Sequence, residues 1–145
     1  MGMSTATSQL VFFIAAMVVA AAVVGAMSKS VFEVTDGING KSKLLDDQLK
    51  TSIMIINDPD NVLNNPVKLY VKNTGSTILS QDLITVQLDG DANLTYAVSV
   101  TGGTNGQWSP SSLLTITITK NLASGDHIAM VTTENGVSDT LKFTI

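Results

Sequence analysis

From Leu10 to Met27 every residue is apolar or glycine, and no charged side chain occurs before Lys29. As a helix rising 1.5 Å per residue, that run would span ~27 Å, close to the ~30 Å hydrocarbon core of a bilayer. The uncharged stretch Met1–Gln9 can lengthen the span. Two other readings compete. A cleaved secretory signal wants a basic opening segment, which this N-terminus lacks, and Val24-Gly25-Ala26 matches a cleavage site only loosely. A buried core helix is disfavoured because the rest of the chain reads as self-contained β structure.

Beyond Met27 the apolar positions Val31, Phe32, Val34, Ile38, Leu45, Leu49 and Ile53 fall largely at helical spacings. Asp46 and Asp47 lie four and three residues before Lys50, an arrangement that supports a helix. Gly37 and Gly40 weaken the middle, each costing up to ~1 kcal/mol against alanine. The pattern predicts one long helix to about residue 50, able to kink at Asp36–Gly40. Residues 1–28 are its membrane or assembly segment, and residues 29–50 an amphipathic stalk without the sustained heptads of a coiled coil.

From Thr51 the period becomes two. Leu69/Val71, Ile84/Val86/Leu88, Leu114/Ile116/Ile118 and Leu141/Phe143/Ile145 each alternate with polar residues, and Tyr96–Val100 and Ile128–Thr132 do so more weakly. One apolar and one Thr/Lys face is the mark of strands half-buried in antiparallel sheets. Turn signals separate them at Asp58-Pro59, Asn73-Thr74-Gly75, Asp89-Gly90, Asn105-Gly106, Ser124-Gly125-Asp126 and Asn135-Gly136. Six to eight such strands over residues 51–145 predict an immunoglobulin-like antiparallel β-sandwich, without the Cys–Trp–Cys pattern of antibody domains. The fold class is therefore α+β in sum, a long hydrophobic helix followed by an all-β domain. The last strand residue, Ile145, must be paired or it offers an edge to another copy.

The apolar run has its own texture. Small residues recur four apart at Ala16/Ala20, Ala21/Gly25 and Ala22/Ala26. Such pairs let helix backbones approach closely where water supplies no drive, so these six residues are candidates for helix–helix association. Topology signals disagree. Lys29, Lys41 and Lys43 follow the span and favour a cytoplasmic body, whereas the sequon Asn93-Leu94-Thr95 makes Asn93 a candidate for N-glycosylation outside.

Charge is sparse. All eight basic residues are lysines, and residues 51–145 set four of them against eight acids, so the net −4 belongs to the β domain. A weakly acidic body with no basic patch argues against a nucleic-acid partner. With no cysteine there is neither a disulfide nor a thiolate metal site. His127 is the single histidine; it precedes a strand with no partner near it in sequence, and reads as a loop histidine rather than a catalytic base. Asp89-Gly90-Asp91 and Asp58-Pro59-Asp60 could offer oxygen ligands to calcium, but lack the full ligand spacing and read as turn caps. Gly102-Gly103-Thr104-Asn105-Gly106 lacks the lysine and following helix of a phosphate loop. Trp108, beside Ser109-Pro110, reads as a core or sheet-covering residue. No enzyme, cofactor or small-molecule substrate is expected.

Ser8-Gln9-Leu10-Val11-Phe12-Phe13-Ile14-Ala15-Ala16, Gln48-Leu49-Lys50-Thr51-Ser52-Ile53-Met54-Ile55-Ile56-Asn57-Asp58-Pro59 and Leu69-Tyr70-Val71-Lys72-Asn73-Thr74-Gly75-Ser76 occur in this order. Over residues 8–90 the chain resembles the accessory protein G family of the archaellum, the archaeal flagellum, and less closely its accessory protein F family. The resemblance implies a pilin-like membrane helix and a β-sandwich outside the cytoplasmic membrane, beneath the S-layer. It implies a stationary, stator-type part of the archaellum motor that self-associates and joins accessory protein F and, through it, the S-layer protein. The sequence lacks the basic leader that the processing peptidase of archaellins and pilins reads, which favours an uncleaved N-terminus unless this sequence is that of the mature form. Two other functions stay open: an archaellin- or pilin-like filament subunit, and a membrane-tethered binding module whose aromatic contacts would be Trp108, Tyr70 and Tyr96.

Overall fold

The computed structural model describes residues 2–103 and 106–145, with side chains from Thr5 onward. Thr104 and Asn105 lie outside the described residues, and with them part of the turn expected at Asn105-Gly106. Helix α1 runs Gly2–Lys50, unbroken through Gly37 and Gly40. The chain divides into two compact units, Met1–Lys43 and Leu44–Ile145.

The first unit is helix alone. Its described side chains are exposed on every side, Phe12 at 77% and Phe13 at 62%. A helix satisfies its own backbone hydrogen bonds, so this sequence has no polar debt in a bilayer. Only from Leu10 to Met27 is its surface apolar all round, the kind of surface that lipid or neighbouring helices can cover.

The second unit begins with the last two turns of α1 and continues through nine strands among the described residues. These are β1 (Ile53–Ile55), β2 (Val67–Asn73), β3 (Leu79–Ser80), β4 (Thr85–Leu88), β5 (Tyr96–Thr101), β6 (Gln107–Trp108), β7 (Leu113–Ile118), β8 (Asp126–Thr132) and β9 (Ser138–Thr144). All pairings are antiparallel. One sheet has the order β1-β2-β7-β5 and the other β4-β8-β9, with β3-β6 as a short ribbon. Matched strand for strand, leaving out the ribbon, this is the four-plus-three arrangement of immunoglobulin constant-type sandwiches.

The period-two pattern explains the register. Val67, Leu69 and Val71 of β2 face inward with Leu114, Ile116 and Ile118 of β7. Val86 and Leu88 of β4, Ala129 and Val131 of β8, and Leu141 and Phe143 of β9 complete the same core from the other sheet. Each large apolar side chain taken from water contributes about 1.5–3 kcal/mol. Trp108 is fully buried in this core, its indole N–H donating to the Ser112 carbonyl at 3.2 Å.

Three details differ from the sequence reading. Ile53, counted on the helix face, belongs to β1, because the chain leaves the helix at Thr51. Ile84 stands outside β4, closing the 3-10 turn Gln81–Leu83 with its side chain still in the core. Ile145 follows β9 rather than ending it, and exchanges two 3.0 Å backbone hydrogen bonds with Gly125.

Both long sides of the sandwich are tied across. The Ile55 N–H, on the edge of β1 away from β2, donates to Asp139 Oδ2 of β9 at 2.7 Å. Opposite, the Tyr96 hydroxyl of β5 donates to the Ile84 carbonyl at 3.1 Å.

Candidate functional site: the apolar helix and the helix-to-sheet junction

All six small residues proposed for helix association are exposed on α1, and a Cβ added at Gly25 would meet nothing within 4 Å. Helical geometry does not bring them to one face. At about 100° per residue, Ala21/Gly25 lies roughly 140° around the helix from Ala16/Ala20, and Ala22/Ala26 roughly 240°. One neighbouring helix can therefore meet one pair closely, and use of all three requires several helices around α1. Further along, Val24, Met27, Ser28, Val31 and Phe32 form an open apolar groove on the helix surface.

A second constellation lies wholly within Leu44–Ile145, where α1 ends. Lys50 pairs with Asp46 one turn back, which raises the lysine above its ordinary pKa and places positive charge at the negative end of the helix dipole. The Thr51 amide and hydroxyl both donate to the Asp47 carbonyl, at 3.0 and 2.6 Å, closing the last turn. The loop after β2 grips the backbone from Lys50 to Ser52. Thr74 and Gly75 amides donate to the Ser52 carbonyl and the Ser76 amide to the Lys50 carbonyl, each at 2.9 Å. The Thr74 hydroxyl donates to Ser52 Oγ at 2.8 Å.

From the other sheet, Asn135 donates through Nδ2 to Thr51 Oγ1 at 2.8 Å and accepts Gln48 Nε2 on its carbonyl at 3.0 Å. At about 1 kcal/mol net for each of these cross-links, the end of the helix is held to the β domain by roughly 6 kcal/mol. Glycine is required at position 75 by proximity: a Cβ there would stand 2.5 Å from both the Lys50 oxygen and the Ser52 nitrogen.

Asn73 braces the gripping loop. It is fully buried at the end of β2, in the inward phase of Val67, Leu69 and Val71. Its Nδ2 donates to the Thr77 carbonyl at 2.8 Å and the Trp108 carbonyl at 3.0 Å, while Oδ1 accepts the Gly75 N–H at 3.0 Å. Sequence reading took Asn73-Thr74-Gly75 as a turn and missed its role. The available signal was a polar residue at an inward position, since a buried amide must find partners. Gln48, Ser52 and Asn135 carried no such signal.

The remaining candidates are dispersed. Trp108 is buried, Tyr96 is committed to Ile84, and only Tyr70, 38% exposed, faces outward, so the three aromatics do not form one binding platform. The turn acids act on nearby backbone: Asp58 Oδ1 accepts the Asp60 N–H, Asp91 Oδ1 accepts the Asn93 N–H, and Asp89 Oδ1 accepts the Ile128 N–H. Asp91 also pairs with Lys120 at 3.0 Å, which holds its carboxyl below the usual range. Asn93 is exposed on the segment before β5. His127 differs from its sequence reading. It lies in β8, not before it. Its carboxylate partner, Asp89, is distant in sequence, 38 residues away. It borders a surface cavity of about 470 Å³ with Pro59, Asp60, Asp126, Lys142 and Phe143.

The archaeal-type flagellin family model matches residues 2–143. The flagella-related protein G of Methanocaldococcus jannaschii is 32% identical over 96% of this chain and 94% of its own length. That of Methanococcus voltae is 31% identical over 94% of this chain and 95% of its own. Among solved structures, a chain of the archaellum periplasmic stator protein complex of FlaF and FlaG from Sulfolobus acidocaldarius is 21% identical. It aligns at a TM-score of 0.47 over 63% of this chain and 87% of its own.

Proposed function

The chain belongs to the archaeal-type flagellin family, and on that premise we propose that it is a structural, non-enzymatic part of the archaellum motor, a stator-type protein. The family match reaches nearly end to end, and both protein G relatives are covered over almost their whole length. The observation that carries the reading is helix α1 itself. Its first unit is long and apolar enough to cross a membrane, and its last turn is hydrogen-bonded to the β-sandwich. An element that holds against torque needs an anchor and a joint that does not yield.

In this reading residues 1–28 anchor and assemble, residues 29–50 form the stalk, and residues 51–145 work outside the membrane beneath the S-layer. Self-association runs through the small-residue pairs among Ala16, Ala20, Ala21, Ala22, Gly25 and Ala26, supported by their exposure on an apolar helix. Accessory protein F is the partner implied by the resemblance, and through it the S-layer protein. Asn93, exposed in its sequon, is the glycan acceptor if the domain is outside.

The test is purification of the tagged full-length chain from archaeal membranes, with identification of what accompanies it. Recovery of accessory protein F supports the stator reading, and its absence together with abundant archaellin opposes it. The family model describes flagellins, which favours a filament subunit as the second reading.

A further inference from the structure

We propose that His127 is a pH-sensitive clasp of the β domain: held as an imidazolium, it ties the turn after β4 and the loop before β8 across the end of the core, and loss of its proton frees them. The ring occupies the inward phase of β8 beside Phe143, with centroids 5.7 Å apart, and its side chain is only 12% exposed. Nδ1 stands 2.7 Å from Asp89 Oδ2, and Nε2 stands 2.9 Å from the Ala123 carbonyl oxygen. A carbonyl and an ionised carboxylate are both acceptors only, and a neutral imidazole has one N–H. The neutral ring would satisfy one contact and aim a lone pair at the other. The imidazolium satisfies both.

The anchor cannot swing away. Asp89 Oδ1 accepts the Ile128 N–H at 2.9 Å and the Asp89 amide donates to the Ile128 carbonyl at 2.8 Å. The turn is fixed by positive φ at Asp89 (55°) and Gly90 (82°). On the other side, the clasped loop holds the end of the last strand: Ser124 Oγ donates to the Ile145 carbonyl, and Gly125 pairs with Ile145 in both directions.

Charged groups from each neighbouring element surround the ring. Asp126, on its own strand, acts on it directly, while Asp60 from the β1–β2 loop and Lys142 from β9 line the same cavity. Lys120, after β7, pairs with Asp91 and acts on Asp89 from a distance. Acids outnumber lysines in this group. The Ala123 carbonyl and then the Asp89 carboxylate raise the ring above the ordinary histidine value, against a smaller effect of burial. Burial alone would raise Asp89, but the Ile128 N–H and the ring bring it below the usual carboxylate value.

These two shifts set opposite pH limits. The ring's contribution is complete below the unfolded histidine pKa, about 6.5, and is lost as pH rises through the higher folded one. The carboxylate's contribution is complete above its unfolded pKa and is lost as pH falls through the lower folded one.

The chain has one histidine, so its ring can be observed without ambiguity in the full-length protein in detergent micelles, by nitrogen-15 NMR. At pH 6 both ring nitrogens should show protonated shifts, with a titration midpoint above 6.5. Amide exchange at Gly125 and Ile145, corrected for its intrinsic pH dependence, should accelerate through the same midpoint. The acceleration should equal the ratio of the ring's proton affinities in the folded and unfolded protein, the first read from the same titration. Asp89→Asn keeps a residue that tolerates the left-handed turn and removes the charge, so the midpoint should fall toward 6.5 and the accelerated exchange should appear at lower pH. A wild-type midpoint at or below 6.5, a midpoint that Asp89→Asn does not move, or exchange indifferent to the titration would each overturn the clasp.

Discussion

Replacing Asn73 tests the joint at its least redundant point. In Asn73→Ala the Thr77 and Trp108 carbonyls lose the Asn73 donor and the Gly75 N–H keeps only one of its two acceptors, the Ser52 carbonyl, at a fully buried site. At about 1 kcal/mol net per bond the loss is about 3 kcal/mol, and water cannot readily make it good at so buried a position. For a unit of about 100 residues each kcal/mol moves the thermal midpoint by roughly 4–8 °C, so a fall of about 15 °C is expected.

Asn73→Asp keeps the shape but turns a second acceptor toward two carbonyl oxygens. At pH 7 it should therefore be the worse variant. Its folded-state pKa is raised, so it should recover relative to Asn73→Ala as pH is lowered toward 4. Circular dichroism melting of the full-length chain in detergent, at both pH values, reads each effect. The reasoning fails if Asn73→Ala melts within about 3 °C of wild type, less than the loss of one bond allows. It fails equally if Asn73→Asp matches Asn73→Ala at both pH values.

Single contacts elsewhere carry their own expected outcomes. Gly75→Ala drives a methyl group into backbone on both sides and should cost at least about 2–3 kcal/mol, with faster amide exchange at Ser76 reporting the loosened grip; wild-type exchange there would contradict the close approach. Asp139→Ala removes the charged acceptor of the Ile55 N–H and should cost about 1–2 kcal/mol, while Asp139→Asn, which keeps an acceptor oxygen, should cost less; equal melting of the two would argue against that bond. Ala22→Leu with Gly25→Leu should reduce oligomer size in detergent, measured by light scattering, if small residues set the helix spacing. Unchanged size would remove that role.

How far the fold was legible depends on element length. The six runs with clear or weak alternation correspond to β2, β4, β5, β7, β8 and β9, because alternation over four to seven residues gives burial a readable period. β1, β3 and β6 are two or three residues long, and no period shows in so few positions. The end of α1 near residue 50 was visible as a change of period. The contacts that fasten it were less so, since Gln48, Ser52 and Asn135 look like any polar surface residues until the sandwich brings residues 22 to 87 apart into contact. Asn73 was readable in principle, as a polar residue in the inward phase of β2, and Gly75 only as a turn marker. The His127–Asp89 pair depends on β4 lying beside β8, which no local pattern encodes.

The central claim, a membrane-anchored structural part of the archaellum rather than its filament, is tested most directly by shearing. Filaments are stripped from cells and the protein is quantified by mass spectrometry in the filament and membrane fractions. Nearly all of it should stay with the membranes, in amounts small beside archaellin. Finding it as a major, regularly repeated constituent of the sheared filament would contradict the account and establish the filament-subunit reading in its place.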